Sequence, residues 1–203
     1  MFSIYRLKRH FQALLRPLSD GFVAVGLTAN FVTVSALVLS CAVGFAVYKL
    51  ASHNTLWYWL LPAALLVRMA LNAIDGMMAR EHNQQSAFGA ILNELGDILS
   101  DCAMYIPFLY VLGVGVWQIM LFSILMIVSE TVGIMGLQIG ASRRYDGPMG
   151  KSDRAFWLGL TAAIAAHFSI SASALKIIVG AICFLLFYTI VNRIFGALKE
   201  VKK

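Results

Sequence analysis

The sequence predicts an all-α, polytopic membrane protein with six transmembrane helices, preceded by an amphipathic N-terminal helix lying at the membrane interface. Composition is the first observation behind this. The chain is 60% hydrophobic and only 13% charged, whereas soluble domains are about half apolar and about a quarter charged. Size is the second, because 203 residues do not enclose enough volume to hide so much apolar surface from water. Spacing is the third. Crossing the hydrocarbon takes roughly 20 helical residues at about 1.5 Å each, and such stretches recur near 31–50, 56–80, 88–112, 116–139, 154–172 and 174–198. No internal repeat or low-complexity tract interrupts them, so residues 1–203 read as a single membrane domain.

Taken in order, residues 2–19 place Ile4, Leu7, Phe11, Leu14, Leu15 and Leu18 at helical spacing, with Arg6, Lys8, Arg9 and Arg16 supplying charge. That pattern fits a helix lying in the membrane surface, broken by Ser19-Asp20-Gly21. The basic, amphipathic start lacks a small-residue cleavage site, so no cleavable signal is expected. Before the first span, Thr28 or Asn30 can cap a helix. With six spans both termini share a side. Every Lys and Arg except Lys49, Lys176 and Arg68 falls on that side, which by the positive-inside rule is the cytoplasm. The net charge of +6 therefore reads as orientation in an inner-membrane-type protein, not as nucleic-acid binding. Cys41, Cys102 and Cys183 all lie in apolar stretches without metal-ligand spacing and are expected to be buried thiols.

Ionisable residues inside spans are costly and mark function by default. Asp75, Glu94, Asp97 and Asp101 cluster on the facing ends of the second and third spans. Asn72 and Asp75 share one helix face, and Asn93 and Asp97 another. A turn through 81–88 brings the two faces together. Asn72 lies about 12 Å from Arg80 along its helix and Asp97 about 12 Å from Gly89 along the next, so their oxygens meet at one depth. Hard oxygen donors converging near the surface suit Mg²⁺ or Mn²⁺. Gly76, Ala79 and Gly89 leave room for phosphates to approach the backbone. Arg68 and Glu130, at about 18 Å and 14 Å from their cytoplasmic ends, are expected to pair between spans two and four. His82 reads as a solvated loop histidine. No Ser-His-Asp or Cys-His arrangement competes, and a transporter would need broken helices with ligands at the midplane.

The run Asn72-Ala-Ile-Asp75-Gly76-Met-Met-Ala79-Arg80, eight residues, then Gly89-Ala-Ile-Leu-Asn93-Glu-Leu-Gly-Asp97 resembles the CDP-alcohol phosphatidyltransferases. Their pattern is D-x-x-D-G-x-x-A-R, eight residues, G-x-x-x-D-x-x-x-D. Asp75, Gly76, Ala79, Arg80, the gap, Gly89 and Asp97 match in register, and Leu27-Thr28-Ala29-Asn30-Phe31-Val32-Thr33 is similar to the family's T-P-N-x-x-T segment with Ala29 in place of Pro. Within the family the chain looks closest to a bacterial branch. The departures are Asn72 and Asn93 where the family has aspartates, which takes four carboxylates down to two. The resemblance implies a phosphatidyltransferase using CDP-diacylglycerol and an alcohol acceptor, with release of CMP and a homodimeric assembly.

For individual residues, the resemblance implies metal ligation by Asn72, Asp75, Asn93 and Asp97, with the reduced charge favouring one Mg²⁺ or Mn²⁺ over two. It implies nucleotide binding by Asp75, Gly76, Ala79, Arg80 and Gly89. Asp97 would take the hydroxyl proton, with Asp101 as the second candidate base. Glu94, Asp97 and Asp101, on one stripe, are an alternative source of the missing charge. Lys151, Arg154 and Arg193 are expected at the phosphate of the acceptor or lipid; Arg143, Arg144 and Asn192 lie nearby in sequence. A catalytically degenerate protein that binds CDP-lipid without turnover is the alternative reading. Which alcohol is accepted does not follow from the sequence.

Overall fold

The structure, a computed structural model, describes residues 4–202, with side chains from residue 11 onward. Its described residues form seven α-helices and no strand: α1 (Ile4–Ala24), α2 (Ala29–Leu50), α3 (Leu60–Glu81), α4 (Ala87–Val111), α5 (Val116–Met135), α6 (Lys151–His167) and α7 (Ala172–Val201). A 3₁₀ turn over Thr55–Trp59 leads into α3, and another over Gly136–Ile139 follows α5. Residues 29–50, 55–81, 116–139 and 172–201 are long and apolar enough to cross a membrane. The other two expected spans form helices of a different character. Every 18-residue stretch of α4 contains Glu94, Asp97 and Asp101, and α6 has only 17 residues, about 25 Å at 1.5 Å each. α6 also starts three residues before the expected 154 and ends well short of 172. The side chain of Asp153 accepts from the Gly150 amide at 2.9 Å and opens the helix early.

Many outward-facing positions carry large apolar side chains, among them Phe45, Trp117, Ile177, Phe184 and Phe195, while Arg68, Asp75, Asp101, Glu130, Arg154 and Arg193 are buried. This inverts the arrangement of a water-soluble protein and fits a hydrocarbon solvent that leaves charges nowhere to go but inward.

The chain divides into two compact units, one from residues 1–43 and 63–103, the other from 44–62 and 104–203. In the first, Ala29, Val32, Ile74, Met77 and Met78 form a buried core on which Leu15, Phe22, Val23, Leu27, Leu71 and Ala79 pack. Leu15, Phe22 and Val23 keep one face of α1 against this core. That burial outweighs the roughly 1 kcal/mol cost of a mid-helix glycine, so α1 runs through Ser19-Asp20-Gly21 and does not break there. It ends at Gly26, whose φ of 82° allows the Leu27 amide to reach back to the Phe22 carbonyl at 2.9 Å, closing a Schellman motif. Arg16 grips Glu81 through Nε at 3.0 Å and Nη2 at 2.9 Å. His82, in the turn after α3 and partly exposed, has its Nε2 2.9 Å from Asp20 Oδ1. The expected surface helix thus has its end pinned to the end of α3; its residues 2–10 lie outside the described side chains.

The second unit packs Tyr105, Phe108, Phe122, Met126, Leu158, Ala162 and Leu186 into its interior. Tyr58 meets Phe108 edge-on at 5.7 Å and Tyr105 meets Phe122 at 6.3 Å. The Thr55–Trp59 turn is fastened to the end of α6 by Thr55 Oγ1 donating to the Ala166 carbonyl at 3.1 Å and Trp59 Nε1 to His167 Nε2 at 3.0 Å. Between α5 and α6 the chain folds back on itself: the Arg144 amide bonds the Gly133 carbonyl at 2.9 Å, and Glu200 accepts from the Ser142 amide and hydroxyl, both at 2.9 Å, and from Arg144 Nη1. Gly147 has φ 115°, and a Cβ there would lie 2.7 Å from Thr189 Cα.

Replacing Gly147 by Ala therefore combines backbone strain with a collision against main chain, and is expected to destabilise by about 1–3 kcal/mol. Gly180, on α7, has open space around its Cβ position, and Gly180→Ala is expected to be neutral or to stabilise by roughly 0.5–1 kcal/mol. Thermal unfolding of the two variants in detergent checks this. Equal shifts would contradict the packing of the 140–150 segment.

Candidate functional site

The turn joining α3 to α4 sets the geometry of the site. Asn83 occupies the left-handed region at φ 55°, and the Gln84 amide returns to the Ala79 carbonyl at 3.1 Å. This ends α3 with a Schellman motif in which Asn takes the place usual for glycine. Three residues later Ser86 Oγ accepts from the Gly89 amide at 2.9 Å and caps α4. Gln84 Oε1 accepts from the Ala29 amide at 2.7 Å, satisfying an orphan donor at the start of α2. Thr28 Oγ1 does the same for Phe31 at 3.2 Å. One short turn thus ties together three helix ends.

Those ends enclose a cavity of about 650 Å³, lined by Ala29, Asn30 and Thr33 of α2, Asn72, Asp75, Gly76, Ala79 and Arg80 of α3, residues 84–86, and Ala87, Gly89, Ala90 and Asn93 of α4. Seven of the eight residues singled out in the sequence for metal or nucleotide meet there, with only Asp97 set back: Asn72, Asp75, Gly76, Ala79, Arg80, Gly89 and Asn93. Asp75 is buried, and its Oδ2 accepts from Thr33 Oγ1 at 2.8 Å. A Cβ on Gly89 would lie 2.6 Å from Asn30 Oδ1, and one on Gly76 would lie 3.1 Å from Arg80 Nη1. The first glycine lets α2 and α4 close on each other; the second lets the arginine fold across its own helix four residues back.

Behind the cavity wall, Asp97 Oδ1 accepts from Asn72 Nδ2 at 3.0 Å and from Arg68 Nη2 at 3.3 Å. Arg68 Nη2 also donates to the Asp97 carbonyl at 3.0 Å, and its Nη1 donates to Asp101 at 2.5 Å. Arg68 and Asp101 are both nearly inaccessible. The expected pairing of Arg68 with Glu130 is not what forms: Arg68 reaches Asp97 and Asp101, one turn apart on α4. Glu94 is half-buried and outside the cavity lining.

Glu130 has basic partners of its own in the second unit. Its Oε1 accepts from Arg154 Nη1 at 3.0 Å, and its Oε2 lies 3.5 Å from Arg193 Nη1 and 4.0 Å from Arg143 Nη2. Arg193 further donates to the Ser129 carbonyl and, through Nε, to that of Asp146 at 3.3 Å. Arg154 and Arg193 are thus fully buried around one carboxylate, while Lys151 is half-buried at the start of α6.

The sequence placed Asn30 and Thr33 in the segment similar to T-P-N-x-x-T without assigning them to the site, and gave no sign of Gln84 and Gln85. The signal for the first two was present in the Thr28-to-Thr33 segment, whose hydroxyl and amide point across to α3 and α4. Nothing in the local sequence marks a glutamine as the cap of a helix more than fifty residues earlier.

The donor set fits a hard divalent cation. Magnesium-type sites usually take one or two carboxylates and fill the remaining positions with water and substrate phosphate. The cavity supplies Asp75, with Asp97 behind it, and side-chain oxygens from Asn30, Asn72 and Asn93. Among the described residues no group of three His, Cys, Asp or Glu side chains converges to hold a metal alone, so substrate oxygens would have to complete the shell.

Residues 26–198 match the family model described as CDP-alcohol phosphatidyltransferase. The chain is 45% identical over 158 residues to Inner membrane protein YnbA of Escherichia coli K12, covering 78% of each. It is 28% identical over 104 residues to the phosphatidylinositol phosphate synthase of Mycobacterium tuberculosis H37Rv, covering 49% of this chain and 44% of that one. The crystal structure of a Mycobacterium tuberculosis phosphatidylinositol phosphate synthase with CDP-DAG bound superimposes with a TM-score of 0.76 at 20% identity, over 91% of this chain and 94% of that one. The same enzyme in complex with manganese and citrate gives 0.75 at 20% identity, over 91% and 88%. With the motif spacing, the cavity and a family match spanning most of its length, this chain belongs to the CDP-alcohol phosphatidyltransferase family.

Proposed function

We propose that the protein is a multi-pass inner-membrane enzyme that moves a phosphatidyl group from CDP-diacylglycerol to an alcohol, releasing CMP, in phospholipid biosynthesis. The observation that carries this reading is that the matched motif residues, with Asp97 just behind, line one cavity held by three helix ends. The proposal includes six spans, a surface-lying N-terminal helix, cytoplasmic termini, a single domain and a homodimer. The distribution of basic residues and the family match over 26–198 support it.

In this reading Asp75, Asn72, Asn93 and Asp97 hold one Mg²⁺ or Mn²⁺, which when bound neutralises pyrophosphate charge. Gly76, Ala79 and Gly89 admit the CMP moiety close to the backbone, and Arg80 meets its phosphate. The acceptor hydroxyl oxygen attacks the phosphatidyl phosphorus. The bond from that phosphorus to the CMP oxygen breaks, and CMP leaves with the electron pair. Asp97 takes the hydroxyl proton. Asp101, held by Arg68, anchors that arginine in preference to acting as the base. Arg143, Arg154, Arg193 and Lys151 receive a phosphate of the acceptor or lipid, because guanidinium forks suit phosphate oxygens. The chain's departures at Asn72 and Asn93 favour a second reading, a CDP-lipid binder without turnover.

Release of CMP from labelled CDP-diacylglycerol in vesicles separates the two. The wild type is expected to release CMP with Mn²⁺ and an acceptor, to stop with chelator, and to lose about a hundredfold or more in rate on Asp97→Asn or Asp75→Ala. Nucleotide binding with no release for any acceptor would leave only the degenerate reading. Asn72→Asp combined with Asn93→Asp is expected to tighten Mn²⁺ binding by about tenfold or more; unchanged affinity would remove both positions from the ligand set. Millimolar inorganic phosphate is expected to raise the unfolding temperature of the wild type and not of Arg143→Gln. Equal protection would place the phosphate elsewhere.

A further inference from the structure

Arg68 makes more contacts than its own neutralisation requires. A buried guanidinium needs one counter-charge, and Asp101 supplies it through Nη1. The other arm turns onto Asp97, where Nη2 donates to both the carbonyl and Oδ1. Asn72 brings a second donor to the same Oδ1 at 3.0 Å. An ionised carboxylate only accepts hydrogen bonds, so the amide nitrogen of Asn72, not its oxygen, faces Asp97. An aspartate at 72 could not make this bond and would repel its neighbour unless a cation lay between them. One oxygen of Asp97 is therefore held by two fixed N–H donors, one of them cationic, and the amide at 72 and the guanidinium at 68 act on it together.

We propose that Arg68 is a positioning residue that sets how tightly this site holds a divalent cation: clamped by Asp101, it occupies Asp97 Oδ1 and supplies from within the chain part of the positive charge that a metal would otherwise bring. This rests on the reading of Asp97 as a ligand. It accounts for a site that keeps two carboxylates where the family pattern has four. A cation competing for Asp97 meets a like charge and two hydrogen bonds already made, so the site takes up metal weakly until the substrate's phosphate oxygens join it. A purely structural ion pair within the membrane would involve Arg68 and Asp101 alone and would leave cation affinity untouched by its removal.

The test is Mn²⁺ binding to the full chain purified in detergent, read from the electron paramagnetic resonance signal of free Mn²⁺, without turnover. Arg68→Gln combined with Asp101→Asn removes one charge of each sign, keeping net charge constant, and is expected to tighten Mn²⁺ binding by about tenfold, the scale on which groups around metal ligands act. Arg68→Lys, which keeps the partner of Asp101 but loses the fork that reaches Asp97, guards against misfolding of the double variant and is expected to tighten binding severalfold. Affinity equal to or weaker than wild type in both variants would overturn the proposal and leave Arg68 as a structural partner or as a support for ligation. Absence of Mn²⁺ binding in wild type and variants alike would instead overturn the metal-site reading on which it stands.

Discussion

An ionised side chain on a helix that faces hydrocarbon has to find its counter-charge inside the protein, because lipid offers neither water nor ions at depth. The rest of this structure follows from that requirement. Arg68 is closed off by Asp101 and Asp97, and Glu130 by Arg154 and Arg193. In the first unit Asp75 lines a polar cavity with Asp97 behind it, and in the second Arg154 and Arg193 gather around Glu130. Both arrangements are chemically useful, and both are stable only because the partners are within hydrogen-bond reach.

Cavity construction relies on helix termini more than on helix interiors. The unsatisfied amides at the start of α2 and α4 and the carbonyls at the end of α3 are satisfied by Gln84, Thr28, Ser86 and the left-handed Asn83. The same side chains that complete these bonds bring Asn30, Thr33, Asp75 and Gly89 to a common wall. Gly89 is small because an amide oxygen from α2 takes the volume its Cβ would need. Local backbone chemistry and site geometry are one problem here, solved by one segment.

The helices were legible in the sequence to within a few residues where a long apolar run was bounded by glycine or polar residues, as for α2, α5 and α7. The chemistry-bearing pattern was legible because it repeats at helical spacing on two adjacent elements. What the sequence hid were choices between competing long-range partners. Helical depth put Arg68 and Glu130 at similar levels, but depth does not say which helix a side chain leans toward, and Arg68 leans to α4. Propensity made Ser19-Asp20-Gly21 look like a stop, whereas Leu15, Phe22 and Val23 share a buried face whose packing carries the helix onward. Gln84 gave no local sign of capping α2, since its partner amide lies far back in the chain.

The turn between α3 and α4 bears on how such a chain can vary over generations. Its residues are committed at several points: one in left-handed backbone, one reaching an earlier helix, one starting the next. Single replacements could be absorbed at any of these, but adding or deleting one residue would misalign them all at once. The number of positions separating the two halves of the motif should therefore drift more slowly than the acids themselves, two of which already stand as amides while the interval is intact. For recognising distant kin, the interval is a better ruler than the carboxylates.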